Sequence, residues 1–486
     1  MSEGKQTPDL STYQGYRGLP PLVGLLTMQD AISTGLSVAD SVSRLKRLHW
    51  ALRTLHGLLL FKIAAEPIYE LKMAYSLHSY YCAEHVAAIA TRIREMRQPP
   101  YGLDELPAEP LDLVRKELQA TPTTEAFLLG VYGLLLPEII RGFKDLLAAT
   151  NKLFDHPTAR ICRFALLELQ EALQYGEQAI ECLTSSAQRV QLHSWIDLLQ
   201  RALAAAGGLD GSQPSMQEPA EEDHLQPQFS ATAAEYDGAP RRDERFKDPF
   251  NMGVNAEAML FDSDIDPQPK TLMLFFKRMR EIDVPEMMSS ILVQTPGRPW
   301  QYYLDMTRQL WDEARHAMMG EIGFASLGID WSKIAFNFTW ALDLNTKLTP
   351  LERHAVLFTI EQGLMPSKTG KEFEWQVAVA SASPLSALIQ DYDWADEILH
   401  ARIGRDWLVT EIGSQSEALA YGDRAWSRTA EDWSRWRDEG LTQHANWWPS
   451  IYSLACEAWG VSPDPSVLSY NKTYQGTRSD QKQLSY

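Results

Sequence analysis

Apolar residues recur at three- and four-residue intervals through most of this chain, the spacing that collects them on one face of an α-helix. The pattern starts near Ser41 and runs to about Arg97, crossing Pro67 on the way. Proline is tolerated in a first helical turn but breaks an interior, so this stretch predicts two helices or one kinked one. Pro99–Pro110 reads as a loop, Thr123–Asn151 as a helix interrupted at Pro137, and Pro157–Ala206 as one long helix. Periodicity resumes at about Thr271 and continues through a run from about Tyr302 to Leu327. An apolar segment beginning at Ala355, a run from Pro384 to about Thr410, and a tryptophan-rich region from Glu417 to Trp459 follow. Alternating strand-like patterns are almost absent, so the expected fold class is all-α.

The stretch 207–270 breaks the pattern with Gly-Gly, Gly-Ser, several prolines and an acidic segment from Glu218 to Asp223. A structureless segment of that length is unusual inside one domain, so it reads as a linker. Its later part, from Arg241 to Phe250, carries aromatics and charges suited to packing on a neighbour. The expected organisation is an irregular segment at 1–37, a helical bundle at 38–206 and a linker at 207–270. A second bundle with added tryptophan-rich helices follows at 271–460, and then a polar, mobile tail at 461–486. A chain of 486 residues has room for two or three domains.

Candidate chemistry concentrates in the second half. Asp312-Glu313-Ala314-Arg315-His316 lies within one predicted helix, where residues three apart share a face, so Glu313 and His316 can grip one metal ion together. A single Glu-x-x-His arises by chance in many helices, and its plain reading is a solvated polar pair. Here the spacing recurs as Glu397 and His400 in Asp396-Glu397-Ile398-Leu399-His400. Glu361 lies on an apolar segment between the two motifs, and Glu281 and Glu286 precede the first. One Glu from each of two helices and Glu-x-x-His from each of two others is the ligand set of four-helix bundles that hold two irons or manganeses. Over about Thr271–Leu408 the sequence therefore resembles the ferritin-like di-iron carboxylate superfamily.

That resemblance implies a bundle in the second half with Glu281 or Glu286, Glu313, His316, Glu361, Glu397 and His400 as metal ligands. Glu313, His316, Glu397 and His400 would be central to catalysis. It also implies two iron ions, with manganese as the alternative since both accept these donors, and dioxygen as co-substrate. A small organic substrate would be hydroxylated, N-oxygenated or desaturated. No flavin or iron–sulfur motif appears, so electrons would come from an external donor such as a reductase. Other readings are a ferroxidase or manganese peroxide-scavenging protein, and a helical scaffold without catalysis. Chain length and the added helices count against a storage cage.

Spacing bears on the first ligand. If Thr295–Pro299 is the turn between two antiparallel helices, Glu281 and Glu313 are equally far from its centre. Glu286 falls five residues short of that match, about 7–8 Å along a helix axis. Asp283-Val284-Pro285-Glu286 looks like a capping box with proline in the first turn, and a kink there would shift the register toward Glu286. Register favours Glu281 and keeps Glu286 as the alternative. Asp312, Asp396, Asp391 and Asp393 are candidates to hold the histidines from behind. Arg315 and Arg402 would pair a carboxylate if buried, and otherwise face solvent. Tyr302, Tyr303, Trp311, Trp394 and Trp407 would pack the core or wall a pocket. In the first half, Glu84, Glu138 and Glu171 are spaced like a faded copy, but Ala87 and Gln174 stand where imidazoles would be needed. A first bundle that has lost its metal is expected there.

The net charge of −19 has no basic stripe to offset it, which argues against nucleic acid and against anionic membrane surfaces. No run of about eighteen apolar residues appears, and no signal segment opens the chain. The four cysteines, Cys82, Cys162, Cys182 and Cys456, are scattered, which excludes a Cys-type zinc site and a disulfide framework. A cytoplasmic protein is expected, with oligomeric state left open and a homodimer among the options.

Overall fold

A computed structural model of the chain describes residues 9–97, 99, 101–214, 225–337, 339–429 and 433–473. Among the described residues every regular element is helical and none is a strand, so the chain is all-α. It forms two compact units, residues 1–58 with 81–235, and residues 59–80 with 236–486.

In the first unit, two short 3₁₀ turns and a short helix, Met28–Ala31, precede the long helices. Helices α1 (Val38–Ile63) and α2 (Tyr69–Glu95) follow, residues 59–63 of α1 and 69–80 of α2 being counted in the second unit; residues 64–68, also of that unit, separate them, and Pro67 stops the first. Leu45, Leu48, Leu52 and Leu55 of α1 and Cys82, Val86, Ile89 and Ile93 of α2 are buried at the three- and four-residue steps of helical faces. Helix α3 (Glu109–Gln119) is followed by α4 (Thr124–Ala149). Helix α4 passes Pro137 by widening into a π turn at Val131–Leu135, where the Leu136 N–H reaches back to the Val131 carbonyl. This is the one run long and apolar enough to cross a membrane among the described residues, but 72% of its most apolar window is buried, as in a core helix. The single helix expected over Pro157–Ala206 is two, α5 (His156–Leu183) and α6 (Ser186–Ala205). Ser185 caps the second through a reciprocal capping box with Gln188. Periodicity alone missed this break because both flanks are helical.

Within the stretch read as a linker, residues 225–235 belong to the first unit and 236–270 to the second; residues 215–224, with the acidic segment, lie outside the described residues. Buried Glu117 accepts hydrogen bonds from the backbone N–H groups of Gln228, Phe229 and Ser230, from the Ser230 hydroxyl and from Trp195 Nε1, at 2.6–3.0 Å.

The second unit is built around α7 (Pro267–Arg280), α8 (Asp283–Gln294), α9 (Trp300–Ala325), α10 (Thr339–Lys347), α11 (Pro350–Gly363), α12 (Lys371–Ala380) and α13 (Pro384–Gly404). Helix α9 packs against α7, α8 and α13, while α11 packs against α8 and α13, closing a four-sided arrangement in which α7 and α8 together form one side. Small residues set the closest approach. A Cβ on Gly320 of α9 would lie 2.2 Å from the Met279 backbone nitrogen of α7, and one on Gly323 would strike the Phe275 ring. Around this frame lie α14 (Gln415–Arg428), packed on α11, and α15 (Trp448–Trp459). Trp448 Nε1 donates to the Val467 carbonyl, and the Tyr470 hydroxyl donates to that of Asn255, so the chain up to Tyr470 is packed on the unit. The remainder of the expected tail, 474–486, lies outside the described residues.

Candidate metal centre

Two Glu-x-x-His pairs face each other from α9 and α13. Glu313, His316, Glu397 and His400 are all at most 2% exposed. Glu361 joins them from α11 and is also buried. Glu281 comes from the break between α7 and α8, where it ends α7 as the cap residue. The break expected near Asp283 exists, yet Glu281 is the residue it turns into the cluster. Glu286 is fully buried but lies elsewhere, its carboxylate 2.6 Å from Lys72 Nζ and 2.8 Å from Arg242 Nη2. Five residues along a helix change both axial position and face, so one side of the bundle cannot present both acids to one point.

The ligand atoms form two overlapping sets, each with its members within 4.8 Å of one another. Glu281, Glu313, His316 and Glu397 make one position; Glu313, Glu361, Glu397 and His400 make the other. Glu313 and Glu397 belong to both. Glu313 Oε2 lies 3.6 Å from His316 Nδ1, and its Oε1 lies 3.1 Å from His400 Nδ1. His316 Nδ1 is 3.4 Å from Glu281 Oε2, and His400 Nδ1 is 3.4 Å from Glu397 Oε2. Two donors that each sit about 2.1 Å from one ion, at a right angle, are about 3 Å apart. The cluster has that spacing. His316 Nδ1, His400 Nδ1, Glu281 Oε2, Glu361 Oε2 and Glu397 Oε2 are all buried without a hydrogen-bond partner. Buried polar atoms are normally paired, so five orphans converging on one point fit a cation.

The far edge of each imidazole is held by the aspartate that precedes the opposite glutamate. His316 Nε2 lies 3.2 Å from Asp396 Oδ2, and His400 Nε2 lies 3.4 Å from Asp312 Oδ2. Each Asp-Glu-x-x-His segment thus orients the histidine of the other, leaving Nδ1 to face the cluster. Arg315 joins the two aspartates, bonding Asp312 and lying 2.8 Å from Asp396, while Arg308 adds a fork on Asp312. Arg402 is exposed.

Electrostatics separate the two sides. Burial alone would raise Glu397, but the Lys371 ammonium beside it holds it well below the usual carboxylate range. Burial and the charge of Glu397 push Glu361 well above that range. Without a metal, the Glu361–Glu397 pair therefore keeps a proton on Glu361. Burial would lower His316, yet Asp396, Glu281 and Glu313 outweigh it and lift the imidazole to about 10. Glu281, despite burial, falls to about 2 beside Arg278 and Lys371.

Lys371, Arg278 and Gln309 were not singled out from sequence. Lys371 Nζ is 2.8 Å from Glu397 Oε1 and from Asp393 Oδ1, and 3.5 Å from Glu281 Oε1. Arg278 Nη2 is 2.9 Å from Glu281 Oε1, and Gln309 Nε2 donates to Glu361 Oε1 at 3.1 Å. The one local signal was that Arg278 stands three residues before Glu281, inside an apolar run. Lys371 is the first residue of α12 and follows a loop whose pattern names no face.

A cavity of about 150 Å³, open to solvent, reaches the four carboxylates Glu281, Glu313, Glu361 and Glu397. Its walls include Val284 and Met287 of α8, Trp340 and Leu344 of α10, and Leu357, Ile360 and Leu364 of α11 or just beyond it. The aromatic wall is Trp340, over which the Arg280 guanidinium sits at 4.9 Å. The aromatics expected near the motifs have other places: Tyr302 packs edge-on against Trp407 and Tyr303, and Trp394 lies against Trp375.

No known protein family, curated protein or solved structure matches this chain. The carboxylates and histidines named above stand close together and could bind metal. In the first unit, Glu84 and Glu171 are exposed and Glu138 pairs with Arg141.

Proposed function

We propose that this chain is a ferritin-like dinuclear metal enzyme that uses dioxygen to oxidise a small organic substrate. The observation that carries the reading is the pair of overlapping four-ligand sets with five orphaned, buried donor atoms between them. Four carboxylates offset two divalent cations, and the two imidazoles complete a donor set that suits iron or manganese. Bound at these positions, two redox-active ions supply dioxygen activation, with electrons from an external donor.

The protein's own residues define the rest. Glu313 and Glu397 would bridge the two positions. Glu281 with His316 and Glu361 with His400 would complete them at either end. Asp396 and Asp312 keep each imidazole turned so that Nδ1 faces the cluster and the proton stays on Nε2. Neither histidine lines the cavity while the four carboxylates do, so a substrate would approach on the carboxylate side. The apolar walls from α8, α10 and α11 would bind the apolar part of that substrate and thin the water around the reacting centre. That cavity favours an organic substrate over a bare metal ion, and hence hydroxylation, N-oxygenation or desaturation over ferroxidase chemistry.

The first test is metal content with Glu313→Ala beside the wild type. Two irons per chain, with loss of one or both in the variant, support the reading and lead to dioxygen-uptake assays after anaerobic reduction. Two manganeses redirect it to peroxide chemistry. No metal, even after anaerobic reconstitution with ferrous iron, refutes it.

A further inference from the structure

The two metal positions share Glu313 and Glu397 but differ in what stands behind their other ligands. At the Glu361–His400 end, the neighbour of Glu361 is the neutral amide of Gln309. Glu397 Oε2 and Glu361 Oε2 are both without a hydrogen-bond partner there. At the Glu281–His316 end, Glu281 Oε1 is held by Arg278 at 2.9 Å and approached by Lys371 at 3.5 Å, while Glu397 Oε1 is 2.8 Å from Lys371 Nζ. Lys371 and Arg278 are themselves buried beside the carboxylates they hold. Asp393 faces Lys371 and Arg278, and Glu374 faces Arg278 and Lys277. That is three cations against two acids, so the group meets Glu281 and Glu397 with one positive charge in excess. Behind the histidines the charges balance, because Arg308 and Arg315 face Asp312 and Asp396.

We infer that the two positions fill in order. The position of Glu313, Glu361, Glu397 and His400 binds first and tightly. The position of Glu281, Glu313, His316 and Glu397 binds second and weakly, because Lys371 and Arg278 hold the other oxygen of the same carboxylates, draw on their charge and repel the ion. Lys371 is a positioning residue in this scheme: it acts on the second ion through Glu397 and Glu281. A stable form with one ion follows, and metal supply then decides how much of the protein is dinuclear. The inference rests on the dinuclear reading above.

The test is titration of the metal-stripped full-length protein with Co(II) alone, followed by calorimetry and by the visible absorption of the bound ion. Two steps are expected, their affinities at least about tenfold apart, the range in which groups behind metal ligands act. His400→Ala should abolish the tight step and His316→Ala only the weak one. Lys371→Met should strengthen the weak step by about tenfold and the tight one by less, since Lys371 touches two ligands of the weak position and only Glu397 of the tight one, whereas Lys371→Arg, which keeps the charge, should leave both as in the wild type. Thermal melts identify any variant that fails to fold; if Lys371→Met does, the wild-type steps and the two histidine variants decide the order by themselves. Two steps of equal affinity, a tight step lost with His316→Ala, or a folded Lys371→Met with an unchanged weak step would each overturn the inference while leaving a dinuclear site. Absence of any binding would instead remove the dinuclear reading and this inference with it.

Discussion

Gly320→Ala probes how the frame sets the site. The added Cβ would stand 2.2 Å from Met279 N and 2.6 Å from Phe275 O, both backbone atoms of α7, where ordinary contact begins at 3.4 Å. Backbone cannot rotate away as a side chain can, so α7 and α9 must separate by about 1 Å at this point. Such overpacking costs about 1–3 kcal/mol, and the better helix propensity of alanine returns about 0.5–1 kcal/mol. The net expectation is a loss of up to about 2.5 kcal/mol, read as a lowered urea midpoint with unchanged slope. The site should respond unevenly. Glu281 lies two residues beyond Met279, while Glu313 and His316 lie within two turns before Gly320, so the separation stretches the 3.4 Å His316 Nδ1–Glu281 Oε2 spacing. The Glu361–His400 position draws only on α9, α11 and α13. Metal sites tolerate displacements of only about 0.2 Å, so Gly320→Ala should bind one ion per chain where two are expected of the wild type. A variant as stable as the wild type, with both ions retained, would refute the claim that this close approach sets the register of Glu281.

Other outcomes follow from the same geometry. Glu286→Gln should destabilise by about 3–5 kcal/mol, because it takes the carboxylate from buried Lys72 and leaves Arg242 to Asp283, yet the folded fraction should still bind two ions; loss of an ion would return Glu286 to the ligand set. Glu117→Ala should cost at least about 3 kcal/mol, since each buried donor left without an acceptor costs about 1–3 kcal/mol, and should open residues 225–235 to limited proteolysis; unchanged cleavage there would count against this anchor. The metal-free protein should lose stability as pH rises above about 6.5. The stabilising charge of His316 is fully present below its ordinary 6.5 and fades as pH rises toward about 10, and Glu361, raised as well, acts in the same direction. Glu281 and Asp312, both depressed to about 2, lose their contributions as pH falls from their ordinary 4.5 and 3.8. Melting temperatures in chelator across pH 3–10 check this; a rise from pH 6.5 to 9 would contradict it. Bound metal should flatten the alkaline limb by keeping both imidazoles neutral.

The sequence by itself determined what is local. Helical periodicity specified an all-α chain, and two residues three apart on one helix had to share a face, so Glu313 with His316 and Glu397 with His400 were legible as pairs. Proline at 67 marked a real break, whereas the Ser185 cap inside a continuous pattern went unread because helical flanks hide a two-residue interruption. Tertiary structure decided what passes between helices. Axial stagger and rotation choose between Glu281 and Glu286, and these depend on how closely α7 approaches α9 at Gly320 and Gly323. The crossed pairing of Asp396 with His316 and Asp312 with His400 depends on the facing of α9 and α13. Lys371 reaches the carboxylates from the first turn of α12, beyond a loop that carries no periodic signal. Local spacing fixes which side chains leave a helix together. What they meet is set by close packing between elements distant in sequence, and no single segment of this chain encodes that.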